Sequence, residues 1–130
     1  ILNEDELMRG LEQYGFVSYR LEALSAGEQV ALFYDAELVV SPHGAGLVNL
    51  LFADRAKLLE LFPGPLLRPH FYYICKSLNH DYRYLCANET YRFPGKILID
   101  LDEEFNGSLD DFSVNCAGVF KQVEEMIARR

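Results

Sequence analysis

The sequence predicts an α/β fold, a three-layer Rossmann-like domain built on a mostly parallel sheet. Three observations carry that reading. Strand-like runs alternate with helical segments five times along the chain. The runs are short and apolar at successive positions, as in Leu38-Val39-Val40 and in KLLELF at 57–62. Strands of that kind have both faces covered by helices. The length of 130 residues suits one domain, and no linker or short-period repeat divides it. Crossovers in such a sheet are right-handed.

Each element has its local cause. Asn3 with Glu6 reads as an N-cap and its capping-box partner, and Leu7, Leu11 and Tyr14 share the helical face that follows. Gly15 ends that helix. Phe16-Val17-Ser18-Tyr19 is a short strand. Ser25 and Glu28 form a second capping box, opening a helix that reaches about Ala36. The run 38–40 is a strand, SPHGAGL at 41–47 a tight turn, and 48–53 a short buried helix. The strand 57–62 is closed by Pro63-Gly64-Pro65. Pro69 suits the first position of a helix reaching about Asn79. Strands follow at 82–86 and 97–101, separated by a loop at 88–96. The last helix starts near Ser113, with Cys116, Val119, Phe120, Val123 and Ile127 on one face.

Composition narrows the function. Twelve basic residues against 20 acidic give a net charge of −8, with no basic cluster beyond Arg129-Arg130. That argues against nucleic acid and anionic membranes as partners. A small phosphate ligand stays open, because local backbone N–H groups can hold it whatever the overall charge. No apolar run approaches the ~20 residues a membrane span needs. The three cysteines, Cys75, Cys86 and Cys116, form no C-x-x-C pair and read as small buried hydrophobes in a reducing compartment. Sequons at Asn88 and Asn106 matter only in a secreted chain. Asp100-Leu101-Asp102 heads an acidic stretch and reads as a solvated strand end; no metal is expected.

The chemistry concentrates at 41–49. Ligands of open α/β sheets sit beyond the carboxyl ends of the strands, and SPHGAGL lies there, between a strand and a helix. Gly44 and Gly46 allow close backbone approach and left-handed φ. A helix starting near Gly46 aims free N–H groups at an anion. His43 can donate to a phosphate oxygen or handle a proton near neutral pH. A plain structural turn is the competing reading. As a dinucleotide fingerprint the motif is a poor match, since Asn49 stands where the third glycine belongs. The aromatic segment 70–84 could stack a ring; Phe71 and Tyr82 read as core, and His70 stays open between the two roles.

NEDEL at 3–7, YGF at 14–16, LSAGEQVALFYDAELVVSPHGAGLVNLLFA at 24–53 and LLELFP at 58–63 together resemble the C-terminal half of glycosyltransferase family 61. The resemblance runs over about residues 1–87 and is densest over 24–63. It implies the donor-binding half of a two-domain GT-B enzyme, present here as one domain over residues 1–130. It implies inverting transfer from a UDP-sugar to a glycan or protein acceptor, with UDP-sugar as substrate and no cofactor. His43, Gly44, Ala45 and Gly46 then cradle the diphosphate, with Asn49 on the same helix and His43 the catalytic candidate. Glu60 takes the ribose hydroxyls. Glu28 and Gln29 are recurrent in the family; the capping box is the better account of Glu28, and Gln29 faces either the nucleotide or the neighbouring turn. Asn3 and Glu4 also match, again with the helix cap as the favoured account. The family's arginine-rich stretch before NEDEL and its N-terminal domain are absent, so this chain alone is expected to be inactive and to expose a wall that favours dimers. A bacterial cytoplasmic enzyme is the expected source, with a luminal one open. The alternatives are a non-catalytic scaffold domain and, behind it, an NAD(P)-binding redox domain.

Overall fold

The computed structural model describes residues 1–63, 68–86 and 113–128. Its order is α1 (Glu4–Glu12), a single 3₁₀ turn (Leu21–Ala23), α2 (Ala26–Asp35), β1 (Leu38–Pro42), a longer 3₁₀ helix (Ala45–Phe52), β2 (Lys57–Phe62), α3 (His70–Ser77), β3 (Asp81–Cys86) and α4 (Cys116–Ala128). Among the described residues the sheet has three strands, all parallel, in the order β1-β2-β3. Leu38 pairs with Lys57, and Lys57 with Asp81, so the strands start level and finish level. Their carboxyl ends therefore form one shelf.

Alternation along the strands sorts side chains to two faces. Leu59 and Leu61, with Leu38, Val40 and Leu85, pack against Leu7 and Leu11 of α1 and against Val119, Val123 and Met126 of α4. Leu58, with Val39 and Tyr82, packs against Phe33 of α2, Leu47 and Leu50 of the 3₁₀ helix, and Phe71 and Cys75 of α3. The expected three-layer α/β architecture is thus present, with β2 buried along almost its whole length. His80 supports the second layer from below. Its Nδ1 accepts from the Ala56 N–H at 3.0 Å, and its Nε2 lies 3.0 Å from the Leu50 carbonyl oxygen. The first contact makes Nδ1 the acceptor, so Nε2 carries the proton.

Several local expectations change. Residues 16–19 join no strand: Gly15 turns the chain at φ 88°, Phe16 packs on the first cluster, and Val17 and Tyr19 point to solvent. Apolar alternation over four residues cannot make a strand without a ladder partner. The helix expected over 48–53 is a 3₁₀ helix that begins at Ala45, and Val48, Leu51 and Phe52 on it are exposed. Ser25 and Glu28 do form their capping box, each side chain bonded to the other's backbone N–H at 3.1 Å. The expected strand at 97–101, the Asp100–Asp102 pair and the sequons at Asn88 and Asn106 lie outside the described residues.

Asn3 makes no side-chain cap on α1. Its amide reaches across the chain instead. Nδ2 donates to the Val114 carbonyl at 2.8 Å, and Oδ1 accepts from the Val114 N–H at 2.9 Å. Both backbone groups of a buried residue are satisfied by one side chain from the far end of the sequence. We expect Asn3→Ala to cost about 2 kcal/mol, because it strands a buried donor and acceptor together. The check is a lowered urea midpoint at unchanged slope; Asn3→Asp, which keeps the acceptor alone, should fall between the two.

Candidate functional site at the carboxyl ends of the strands

β1 runs out at Pro42, and the His43 N–H adds one more rung by donating to the Leu61 carbonyl at 3.1 Å. This fixes His43 directly over the end of β2. Gly44 is fully extended, at φ −177° and ψ 158°, and the 3₁₀ helix opens at Ala45. Ala45 and Gly46 stand in its first turn, where no helix carbonyl precedes their N–H groups. That end of the helix carries partial positive charge.

The two glycines do not adopt left-handed φ as expected. Among the described glycines only Gly15 has positive φ. Packing explains Gly46, since a Cβ there would lie 2.4 Å from Leu21 Cδ1. Gly44 has neither constraint: its nearest neighbour to an added Cβ is the Pro42 carbonyl oxygen, at 3.9 Å. The space beside Gly44 is open to whatever approaches the turn.

His43 turns one side of its ring inward. Nδ1 lies 2.6 Å from Glu60 Oε1. Glu60 is fully buried, and its other oxygen accepts from the Tyr82 hydroxyl at 2.7 Å. Burial, and then the Glu60 carboxylate, push the Tyr82 hydroxyl far above its ordinary range, so it stays protonated and donates. The imidazole sits among Phe62 at 5.6 Å, His70 at 5.8 Å and Phe71 at 5.2 Å between ring centroids. Nearby, burial pushes the Cys75 thiol up to about 12, with Glu60 and Asp81 adding to the effect, so Cys75 is inert packing.

The structure thus brings His43, Gly44, Ala45, Gly46 and Glu60 together. Glu60 does not stand at an open strand end ready for ribose hydroxyls. It lies beneath His43 with both oxygens bonded, because alternation puts it on the covered face between Leu58 and Phe62. Asn49 and Gln29 are engaged elsewhere. Asn49 Nδ2 donates to Gln29 Oε1 and to the Gly46 carbonyl, both at 2.9 Å. Gln29 Nε2 donates in turn to the Leu21 and Leu24 carbonyls. Together they brace the turn from behind. Glu28 belongs to its capping box, whose hydrogen bonds from Ser25 hold its carboxyl below the usual range. Sequence reasoning placed Tyr82 and Phe71 in the core and missed what they do for His43. The two-residue spacing of Leu58, Glu60 and Phe62 was the available signal.

Comparison with known proteins finds a family likeness over the first part of the chain. Residues 1–59 match the family model described as Glycosyltransferase 61. Over this span the chain is similar to glycosyltransferase 61. The glycosyltransferase 61 match takes in α1, α2, β1, the turn His43–Gly46 and the 3₁₀ helix, and it stops one residue short of Glu60. The EGF domain-specific O-linked N-acetylglucosamine transferase of Xenopus laevis is 38% identical over 68 residues, covering 48% of this chain and 13% of that protein. The protein of the same name from Gallus gallus is 34% identical, with the same coverage. The chain therefore spans a small part of the curated relatives it matches. No solved structure matches it. No described helix is long and apolar enough to cross a membrane.

Proposed function

We propose that this chain is the donor-binding domain of a glycosyltransferase of the GT-B type, taking a UDP-sugar for inverting transfer. The observation that carries this reading is the turn itself. It places an imidazole, an open glycine and the N-terminal end of a 3₁₀ helix side by side at the carboxyl ends of parallel strands, where α/β sheets take their ligands. The arrangement suits a diphosphate. Backbone N–H groups of Ala45 and Gly46 would donate to its oxygens, Gly44 would let it approach, and His43 would donate from Nε2.

In the reaction, an acceptor oxygen attacks the anomeric carbon. The bond from that carbon to the diphosphate breaks, and its electron pair stays on the phosphate oxygen. Donors preorganised at that oxygen favour the transition state over the ground state, since the charge develops there. The acceptor proton requires a base, which we place on the facing domain of the complete enzyme. The names of the two relatives make a protein hydroxyl the first acceptor to try, with N-acetylglucosamine as the first sugar.

The test is a two-dimensional amide NMR titration with UDP, GDP and NAD in turn. UDP should shift amides at 43–49 most strongly. A response to GDP alone would change the donor, and a response to NAD alone would support the redox alternative. Silence with all three, repeated on the full-length protein, would leave a scaffold domain and overturn the proposal.

A further inference from the structure

We infer that Glu60 is the positioning residue of this site, holding the His43 imidazole with Nδ1 inward and Nε2 presented to the anion. The inference deepens the donor-binding reading and rests on it for its functional consequence. Its structural part stands on the geometry alone.

A histidine at a strand end can rotate about two side-chain bonds and present either nitrogen, in either tautomer. Three contacts remove that freedom here. Glu60 Oε1 takes Nδ1 at 2.6 Å. Phe62 and Phe71 stand against the ring at 5.6 and 5.2 Å and limit its swing. The carboxylate is in turn fixed by the Tyr82 hydroxyl at 2.7 Å, so it cannot rotate to offer the imidazole a different oxygen. Glu60 is an ionisable residue with 0% exposure, lying between Leu58 and Phe62, both also at 0%. A carboxylate is costly at such a place unless its hydrogen bonds are complete. A leucine would pack there at no such cost, and among the described residues no other group bonds these oxygens. Its only described partners are His43 and Tyr82, and His43 alone reaches the ligand side.

The consequence for chemistry is directional. With Nδ1 committed, Nε2 is the one polar atom of the ring that a ligand can meet. A carboxylate at Nδ1 also complements a ring that donates from both nitrogens, with Nε2 turned to a phosphate oxygen. This is how a buried acid can act on a diphosphate it never touches, as outer partners do for ligating histidines. Tyr82, across on β3, serves the same end one step further back.

Imidazole nitrogen-15 spectra of the full chain test this without any substitution. The His43 ring should show a proton on Nδ1 in the free protein, and UDP should perturb Nε2. A free protein with the proton on Nε2 and a bare Nδ1 would overturn the inference, whatever UDP does. Glu60→Gln then tests the consequence. It should scramble the ring between tautomers and weaken UDP binding about tenfold, the loss of one charge-assisted hydrogen bond's geometry. In a His43→Asn background the same change should leave UDP affinity where His43→Asn put it, because Glu60 acts only through the ring. A further loss there would mean a direct contact, the ribose role, and would overturn positioning. Should Glu60→Gln fail to fold, Tyr82→Phe gives the milder version of both readouts. If the spectra hold and UDP binds nowhere near the turn, the positioning stands and the donor-binding reading fails.

Discussion

Replacing His43 with Asn should abolish most UDP binding while leaving the fold intact, whereas replacing it with Ala should damage both. The separation follows from the two nitrogens. The Asn amide reaches about as far as Nδ1, so it can still donate to Glu60; it has nothing at the position of Nε2. The lost hydrogen bond to a phosphate oxygen is charge-assisted, worth about 1.5–3 kcal/mol, which is roughly ten- to a hundredfold in affinity. His43→Ala loses that and also strands Glu60 Oε1 in a fully buried position. An unsatisfied buried acceptor costs about 2 kcal/mol, and more when charged. Calorimetric titration with UDP reads the first effect, and the urea midpoint reads the second. Equal UDP affinity in wild type and His43→Asn would remove His43 from the site.

The architecture was legible because its causes are local. The apolar runs at 38–40 and 57–62 have the local pattern of strands and find each other as ladder partners, and Ser25 with Glu28 sets its capping box within one turn. The site was legible only in part. The chain's direction puts HGAG at a carboxyl strand end, so His43 and the helix start could be found. The burial of Glu60 beneath His43 could not be read from its position near a strand end. Its partner Tyr82 is diagonal to it in the sheet register, and that register, Leu58 to Tyr82, is set by packing across 24 residues. Asn3 shows the same limit more sharply. Its sequence neighbours offered a cap, and its actual partner, Val114, is 111 positions away. The 16–19 segment failed for the opposite reason: it has the local pattern of a strand and no neighbour to pair with.

Phe62→Ala should be the most damaging single substitution for stability, and its effect should reach the site. The ring is completely buried at the end of β2, flanked by His43 and, at 6.3 Å, by Tyr84. Truncating a buried phenylalanine removes its transfer free energy and leaves a cavity, at about 3–5 kcal/mol. Domains of this size hold about 5–15 kcal/mol in total, so a large share of the stability goes. The cavity would open beside the face of the His43 ring on which Phe62 stacks. The imidazole could then tilt away from Glu60, and UDP affinity should fall even under conditions where the variant stays folded. Phe62→Leu separates the two effects. It refills most of the volume, so the urea midpoint should largely recover, but a branched aliphatic chain offers no flat surface for the ring. If UDP affinity recovers in step with the midpoint, Phe62 serves the core alone. If it stays low while the midpoint recovers, the aromatic wall is part of what holds His43 in place.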